Sequence, residues 1–136
     1  MNEESIKNTI LIVEDETSLR RALSDKFTRE GFTVFDAKDG EVGLEVAVRE
    51  EPQIILLDMM MPKMDGVTML HQLRLKNDWG KCVPVLLLTN ISSDDKRMLK
   101  EVSDDGSIDY LVKSDWPINK LVRRVRDTLT PPDGKK

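Results

Sequence analysis

The chain has 136 residues, enough for one compact domain with a real core and too few for two ordinary ones. Its 25 acidic side chains outnumber 21 basic ones, giving a net charge of −4, so there is no basic footprint that would favour nucleic acid. The single cysteine, Cys82, excludes an intrachain disulfide or a cysteine metal cluster, and no apolar run approaches the roughly 20 residues that span a bilayer.

The N-terminus, MNEESIKNTI, lacks the apolar core of a signal peptide, which with the lone cysteine leads us to expect a soluble protein of the reducing cytoplasm with no membrane partner. Thr9 to Val13 is the first of five short runs rich in Ile, Val and Leu, each too short for a helix, and predicts a strand. Leu19, Leu23 and Phe27 then recur at i, i+4 and i+8, predicting a helix that Thr17 or Ser18 can cap and Gly31 ends. Phe32 to Phe35 predicts the second strand, and Val42 to Val48 a second helix opened by Asp39 and Gly40. Gln53 to Leu57 predicts the third strand, and Val67 to Leu75 a helix capped by Asp65. Pro84 to Leu88 predicts the fourth strand. Met98, Leu99 and Val102 mark a fourth helical pattern, where Ser92 with Asp95 resembles a capping box. Ile108 to Val112 predicts the fifth strand, and Leu121, Val125 and Leu129 a fifth helical pattern. The residues from Pro131 to Lys136 cannot continue that helix and read as a short disordered tail.

Strict alternation of strand and helix implies βαβ crossovers, and hence a parallel sheet covered by helices on both faces: an open (βα)5 α/β sandwich. Ligands of such sheets sit outside the carboxyl ends of the strands. The residues there are Glu14 and Asp15 after the first strand, Asp58 after the third, Thr89 and Asn90 after the fourth, and Lys113 after the fifth. Three neighbouring carboxylates stay ionised together only if a cation and the Lys113 ammonium offset their repulsion. Mg²⁺ suits such a set, because it prefers oxygen donors and keeps positions open for water and phosphate oxygens. Asp58 could then serve as a carboxylate nucleophile, with Lys113 neutralising phosphoryl charge and Thr89 donating a hydrogen bond to a phosphoryl oxygen.

Each residue also has a plainer explanation. Glu14 to Ser18 could simply cap a helix, Asp58 could start a turn, Thr89 could end a strand, and Lys113 could be a solvated charge. The joint pattern favours chemistry, since four strand ends on one edge would have to turn polar independently.

The segments Ile10-Leu11-Ile12-Val13-Glu14-Asp15-Glu16 and Asp58-Met59-Met60-Met61-Pro62-Lys63-Met64-Asp65-Gly66 resemble the first strand with its acid pair, and the phosphoacceptor loop, of bacterial response regulator receiver domains. The likeness covers roughly residues 8 to 130, which implies a receiver domain over 8–130, an N-terminal extension over 1–7 and a tail over 131–136. It implies a flavodoxin-like fold with strand order 2-1-3-4-5. Asp58 would be phosphorylated, Asp15 would bind Mg²⁺ directly, Glu14 would act largely through water, and the Met60 carbonyl would complete the ligands. Lys113 would pair with Asp58 or the phosphoryl group. Thr89 would move toward the phosphate and let Tyr110 turn inward; Tyr110 could instead be a fixed half-buried strand residue.

Two positions depart from the family pattern. Ser114 stands where a proline usually follows the lysine, which leaves the isomer of the Lys113–Ser114 bond open. Asn90 replaces the usual small residue and would narrow access to Asp58. At the two positions whose side chains align a hydrolytic water in the family, this chain has Met60 and Ile91, neither of which accepts a proton, so loss of the phosphoryl group should be slow. His71 has no partner at ligand spacing and is read as a surface residue, the methionines around Asp58 as loop and core packing, and Trp79 and Trp116 have no assignment from sequence.

The resemblance implies a stand-alone receiver that is not an enzyme toward other molecules and takes its phosphoryl group from a sensor histidine kinase or a histidine phosphotransfer protein. It further points to homodimerisation through the fourth helix, fifth strand and fifth helix, with Lys96, Lys100, Asp109 and Arg123 as the charged residues. Alternatives are the receiver of a larger transcription factor or hybrid kinase, and a docking module independent of phosphorylation. A phosphatase acting on other molecules ranks below these, since no separate general acid is visible.

Overall fold

The computed structural model describes residues 8–90 and 108–129. Along the chain run β1 (Thr9–Val13), α1 (Thr17–Arg29), β2 (Thr33–Ala37), α2 (Gly40–Glu50), β3 (Ile54–Asp58), α3 (Gly66–Arg74), a short α4 (Asp78–Cys82), β4 (Val85–Thr89), β5 (Ile108–Val112) and α5 (Ile118–Leu129). A 3-10 turn over Lys113–Asp115 joins β5 to α5. The strands form one sheet in the order β2-β1-β3-β4-β5, every neighbouring pair parallel. The expected order and sandwich are therefore what the chain adopts. The helical pattern around Met98, the Ser92 and Asp95 box, Ile91, and the residues from 130 onward lie outside the described residues.

The strands divide their side chains between two cores by simple alternation. Leu11, Val13, Ile55, Leu57, Val85 and Leu87 meet Ala47, Met69, Leu70 and Leu73 of α2 and α3. Ile10, Ile12, Ile54, Leu56, Leu86 and Leu88 meet Leu23 and Phe27 of α1 and Leu121, Val122 and Val125 of α5. Each such side chain taken fully out of water contributes roughly 1.5–3 kcal/mol, which outweighs the few tenths per residue separating helix propensities. Burial on both faces thus fixes the register, and the register sets which residues stand at the carboxyl edge.

Helix starts follow local chemistry with one correction. Asp39 accepts from the Val42 N–H at 2.9 Å and Asp65 from the Thr68 N–H at 2.8 Å, both as expected. Neither Thr17 nor Ser18 caps α1: its N-cap is Glu16, whose side chain makes no capping bond, and the Ser18 hydroxyl instead donates to Glu16 Oε2 at 3.2 Å. Gly31 follows α1 with φ of 99°, a left-handed value that favours glycine. The turn α4 was not legible as a helix. Asn77 caps it by accepting from the Gly80 N–H at 2.7 Å, and Arg74 Nη1 donates to the carbonyls of Gly80 at 2.8 Å and Val83 at 2.9 Å. Trp79 on this turn packs against the α2 and α3 side of the core, and Trp116 against the α1 and α5 side, which accounts for both tryptophans. No helix among the described residues is long and apolar enough to cross a membrane.

Candidate functional site

Four strand ends meet at the carboxyl edge. Glu14 and Asp15 follow β1, Asp58 closes β3, Thr89 closes β4, and Lys113 follows β5. Asp58 lies opposite Leu88 in the register, so Thr89 stands one residue beyond it on the neighbouring strand. Thr89 is wholly buried, and Asp58 and Glu14 are 4% and 1% exposed, whereas Asp15 is exposed. One carboxylate oxygen from each of Glu14, Asp15 and Asp58 lies within 4.8 Å of the others.

Lys113 bridges the two buried acids, its Nζ standing 3.3 Å from Glu14 Oε1 and 3.4 Å from Asp58 Oδ1. The sequence led us to expect the contact with Asp58; the second, with Glu14, is new. The Lys113–Ser114 bond is trans, and Ser114 continues into the 3-10 turn that launches α5. Glu14 is anchored on three sides. Its N–H donates to the Ala37 carbonyl at 3.0 Å, its Oε2 accepts from the Glu16 N–H at 3.1 Å, and its carbonyl accepts from Arg20 Nη1 at 2.9 Å. Arg20, one and a half turns downstream, carries no signal in the sequence that would mark it for this task.

Burial pushes the Glu14 carboxyl up from 4.5 to about 7, reinforced by the Asp58 charge and opposed by the Glu16 N–H and by Lys113. Burial likewise raises Asp58 above its ordinary value, against the pull of Lys113 and the Met60 N–H. Burial alone would lower Lys113, but the Asp58 and Glu14 carboxylates together lift it above its ordinary value, so the ammonium stays charged. Among the described residues, Lys113 is the one cation paired with these three carboxylates, which leaves them short of positive charge.

The donor set fits a hard divalent ion such as Mg²⁺. All three side chains offer oxygen, two are held rigidly, and the exposed Asp15 leaves one side open to water and to phosphate oxygens. Thioethers do not belong in such a set, and the methionines around Asp58 divide accordingly. Met59 is buried, Met61 and Met64 pack against the core, but Met60 is 62% exposed, so the expectation of packing fails for that residue.

Loop 59–65 is pinned over the acidic edge. The Met60 N–H donates to Asp58 Oδ1 at 3.3 Å, the Met59 N–H to the Leu88 carbonyl at 2.8 Å, and the Gly66 N–H to the Met59 carbonyl at 2.9 Å. A Cβ on Gly66 would sit 2.5 Å from the Asp58 carbonyl oxygen and 2.9 Å from Met59 Cα, both backbone atoms that cannot swing aside. Gly66→Ala should therefore cost roughly 1–3 kcal/mol through strain at the strand end. A urea titration checks this: the midpoint falls while the slope is kept, and an unchanged midpoint would refute the steric argument.

Tyr110 is half-buried, on the α2 and α3 side of the sheet, in register with Leu87. It thus stands two residues behind the edge row that pairs Thr89 with Val112. Asp109 forms an ion pair with Arg124 of its own chain, while Arg123 is exposed. Asn90 and His71 are exposed as well.

Comparison with known proteins gives one consistent family. The model of the response regulator receiver domain matches residues 10–126. The chain is 37% identical over 123 residues to the probable transcriptional regulator ycf27 of Porphyridium aerugineum, covering 90% of this chain and 48% of that protein. It is 34% identical over 129 residues to the transcriptional regulatory protein SrrA of Staphylococcus aureus, covering 90% and 51%. It thus spans about half the length of the curated relatives it matches. Among solved structures, the receiver domain of the Francisella response regulator 1452 superposes with a TM-score of 0.75 at 30% identity, covering 90% of this chain and 96% of that one. The chemotaxis response regulator CheY4 of Vibrio cholerae superposes with a TM-score of 0.79 at 27% identity, covering 90% and 99%.

Proposed function

Because the chain belongs to the response regulator receiver domain family, a signalling domain of two-component systems, we propose that it switches by accepting a phosphoryl group on Asp58. An Asp58 carboxylate oxygen attacks phosphorus, the P–N bond to a donor phosphohistidine breaks, and the electron pair returns to the imidazole, which leaves neutral when its other nitrogen carries a proton. Lys113 neutralises charge on the transferring group, and the Thr89 hydroxyl donates to one of its oxygens. Glu14, Asp15, Asp58 and the Met60 carbonyl would hold Mg²⁺, which when bound supplies positive charge beside the phosphoryl oxygens. The chain itself holds the nucleophile: Lys113, the Met60 N–H and the packing of loop 59–65 orient the Asp58 carboxylate.

The observation that carries this is Lys113 bridging Asp58 and Glu14 beside an exposed Asp15, which sets an ammonium against the proposed nucleophile and leaves an excess of carboxylate charge for one divalent ion to offset. Incubation with acetyl phosphate and Mg²⁺ should add one phosphoryl group to the intact mass, and a chelator should prevent it. No gain in mass would sink the proposal.

The phosphodonor is, on this reading, a histidine kinase or a histidine phosphotransfer protein, met in the cytoplasm by a domain spanning residues 8–130. The Thr89 hydroxyl would move toward the phosphoryl group and Tyr110 would follow it. Homodimerisation through β5, α5 and the segment around residues 98–102 is the partner proposal. Since Asp109 already pairs with Arg124, a dimer would use the exposed Arg123 or exchange that pair. Sedimentation before and after phosphorylation tests it: the mass should rise, and an unchanged mass removes the dimer.

A further inference from the structure

We propose that Met60 is an oxidant-sensing position, at which a hydroperoxide converts the thioether to a sulfoxide and thereby shortens the life of a phosphoryl group on Asp58. The methionines around the site differ sharply in access: Met69 is 0% and Met59 4% exposed, Met61 and Met64 are packed against the core, and Met60 is 62% exposed. Solvent-borne peroxide therefore meets Met60 first among the described methionines. In the reaction the Met60 sulfur attacks the peroxide, the O–O bond breaks, one oxygen stays on sulfur, and water leaves from hydrogen peroxide or the alcohol from an organic hydroperoxide. Sulfur is oxidised by two electrons as peroxide is reduced by two.

The position makes this change consequential. The Met60 N–H lies 3.3 Å from Asp58 Oδ1, so the side chain is rooted beside the proposed phosphoacceptor, and its unbranched, three-torsion stem can sweep across the carboxylate. A thioether is a weak acceptor and holds no water in line for attack. A sulfoxide oxygen accepts hydrogen bonds and can orient such a water, so oxidation gives this side chain a water-positioning group that the thioether lacks. The change is reversible by enzymes that reduce methionine sulfoxide, as a switch requires. This inference rests on Asp58 being the phosphoacceptor.

The test is made in a Cys82→Ser background, because the exposed Cys82 thiol would also react with peroxide. The protein is treated with limited hydrogen peroxide, the oxidised residue is mapped by peptide mass, and phosphoryl loss is followed after removing acetyl phosphate. Met60 should oxidise before Met59, Met61, Met64 and Met69, and the oxidised protein should lose its label several-fold faster. Met60→Leu should decay at one rate with or without peroxide, and Met60→Gln should decay fast without it. Prior oxidation at any of those four methionines, unchanged decay of protein oxidised at Met60, or acceleration that persists in Met60→Leu would overturn the inference and leave the phosphoacceptor intact. Failure of the untreated protein to label would overturn both, and is told apart by its mass.

Discussion

Asp58→Asn is expected to abolish labelling by acetyl phosphate under conditions that add one phosphoryl group to the wild type. The substitution keeps the shape of a side chain that is 4% exposed, so the fold and loop 59–65 should survive it. What it removes is the negative oxygen: an amide carbonyl is a poor nucleophile toward phosphorus and cannot form the acyl phosphate. It also removes a charge that the chain must otherwise offset, since Asp58 faces Glu14 across the Lys113 ammonium. A melting temperature equal to or above that of the wild type should therefore accompany the loss of labelling, and far-ultraviolet circular dichroism should not change. Undiminished labelling would move the phosphoacceptor to another residue, which peptide mapping would name, with Asp15 the first to check because it is exposed.

The second large effect is on stability, in metal-free solution. Glu14 ordinarily titrates at 4.5, but in the folded protein burial holds its proton until about 7. Between those values the folded state binds more protons than the unfolded chain, so stability falls as pH rises through the window and the full penalty is present above about 7. The interval from 4.5 to about 7 corresponds to a penalty on the order of 3 kcal/mol. Asp58, also raised by burial, acts in the same direction, while Lys113, raised above its ordinary 10.5, stays charged throughout. Thermal melts with a chelator should accordingly show a falling melting temperature from about pH 5 to about pH 8. Excess Mg²⁺ should restore most of the loss at the upper end, since an ion bound only by the folded state stabilises it by mass action. Glu14→Gln should flatten the profile. A flat wild-type profile, or one on which Mg²⁺ has no effect at neutral pH, would contradict the charge balance proposed for the site.

The residues themselves were enough to place the site in outline. Five apolar runs of strand length, separated by helical stripes, admit few solutions other than a doubly covered parallel sheet, and residues directly after such runs must emerge at one edge. Glu14, Asp15, Asp58, Thr89 and Lys113 could be named for that reason, because position along a strand is a local property set by where the apolar run stops. The caps on α2 and α3 were legible for the same reason, each being a contact between an aspartate and an amide three residues on.

What only the tertiary structure decided depends on distance across the chain. Lys113 meets Glu14 across 99 positions of sequence, because one sheet brings the ends of β1 and β5 to the same edge. The N-cap of α1 is Glu16 rather than Thr17 or Ser18, and the Glu16 N–H bonds to the Glu14 carboxylate two residues back, a local contact that the apolar pattern does not reveal. The need for glycine at position 66 comes from the Asp58 carbonyl pressed against it. The turn α4 was missed because its five residues carry no full apolar stripe; it is held by Arg74 and by Trp79 packed on the core. Strand ends follow from the local pattern of apolar residues, whereas charge pairing, close backbone approach and the exposure of Met60 follow from which segments the two cores bring together.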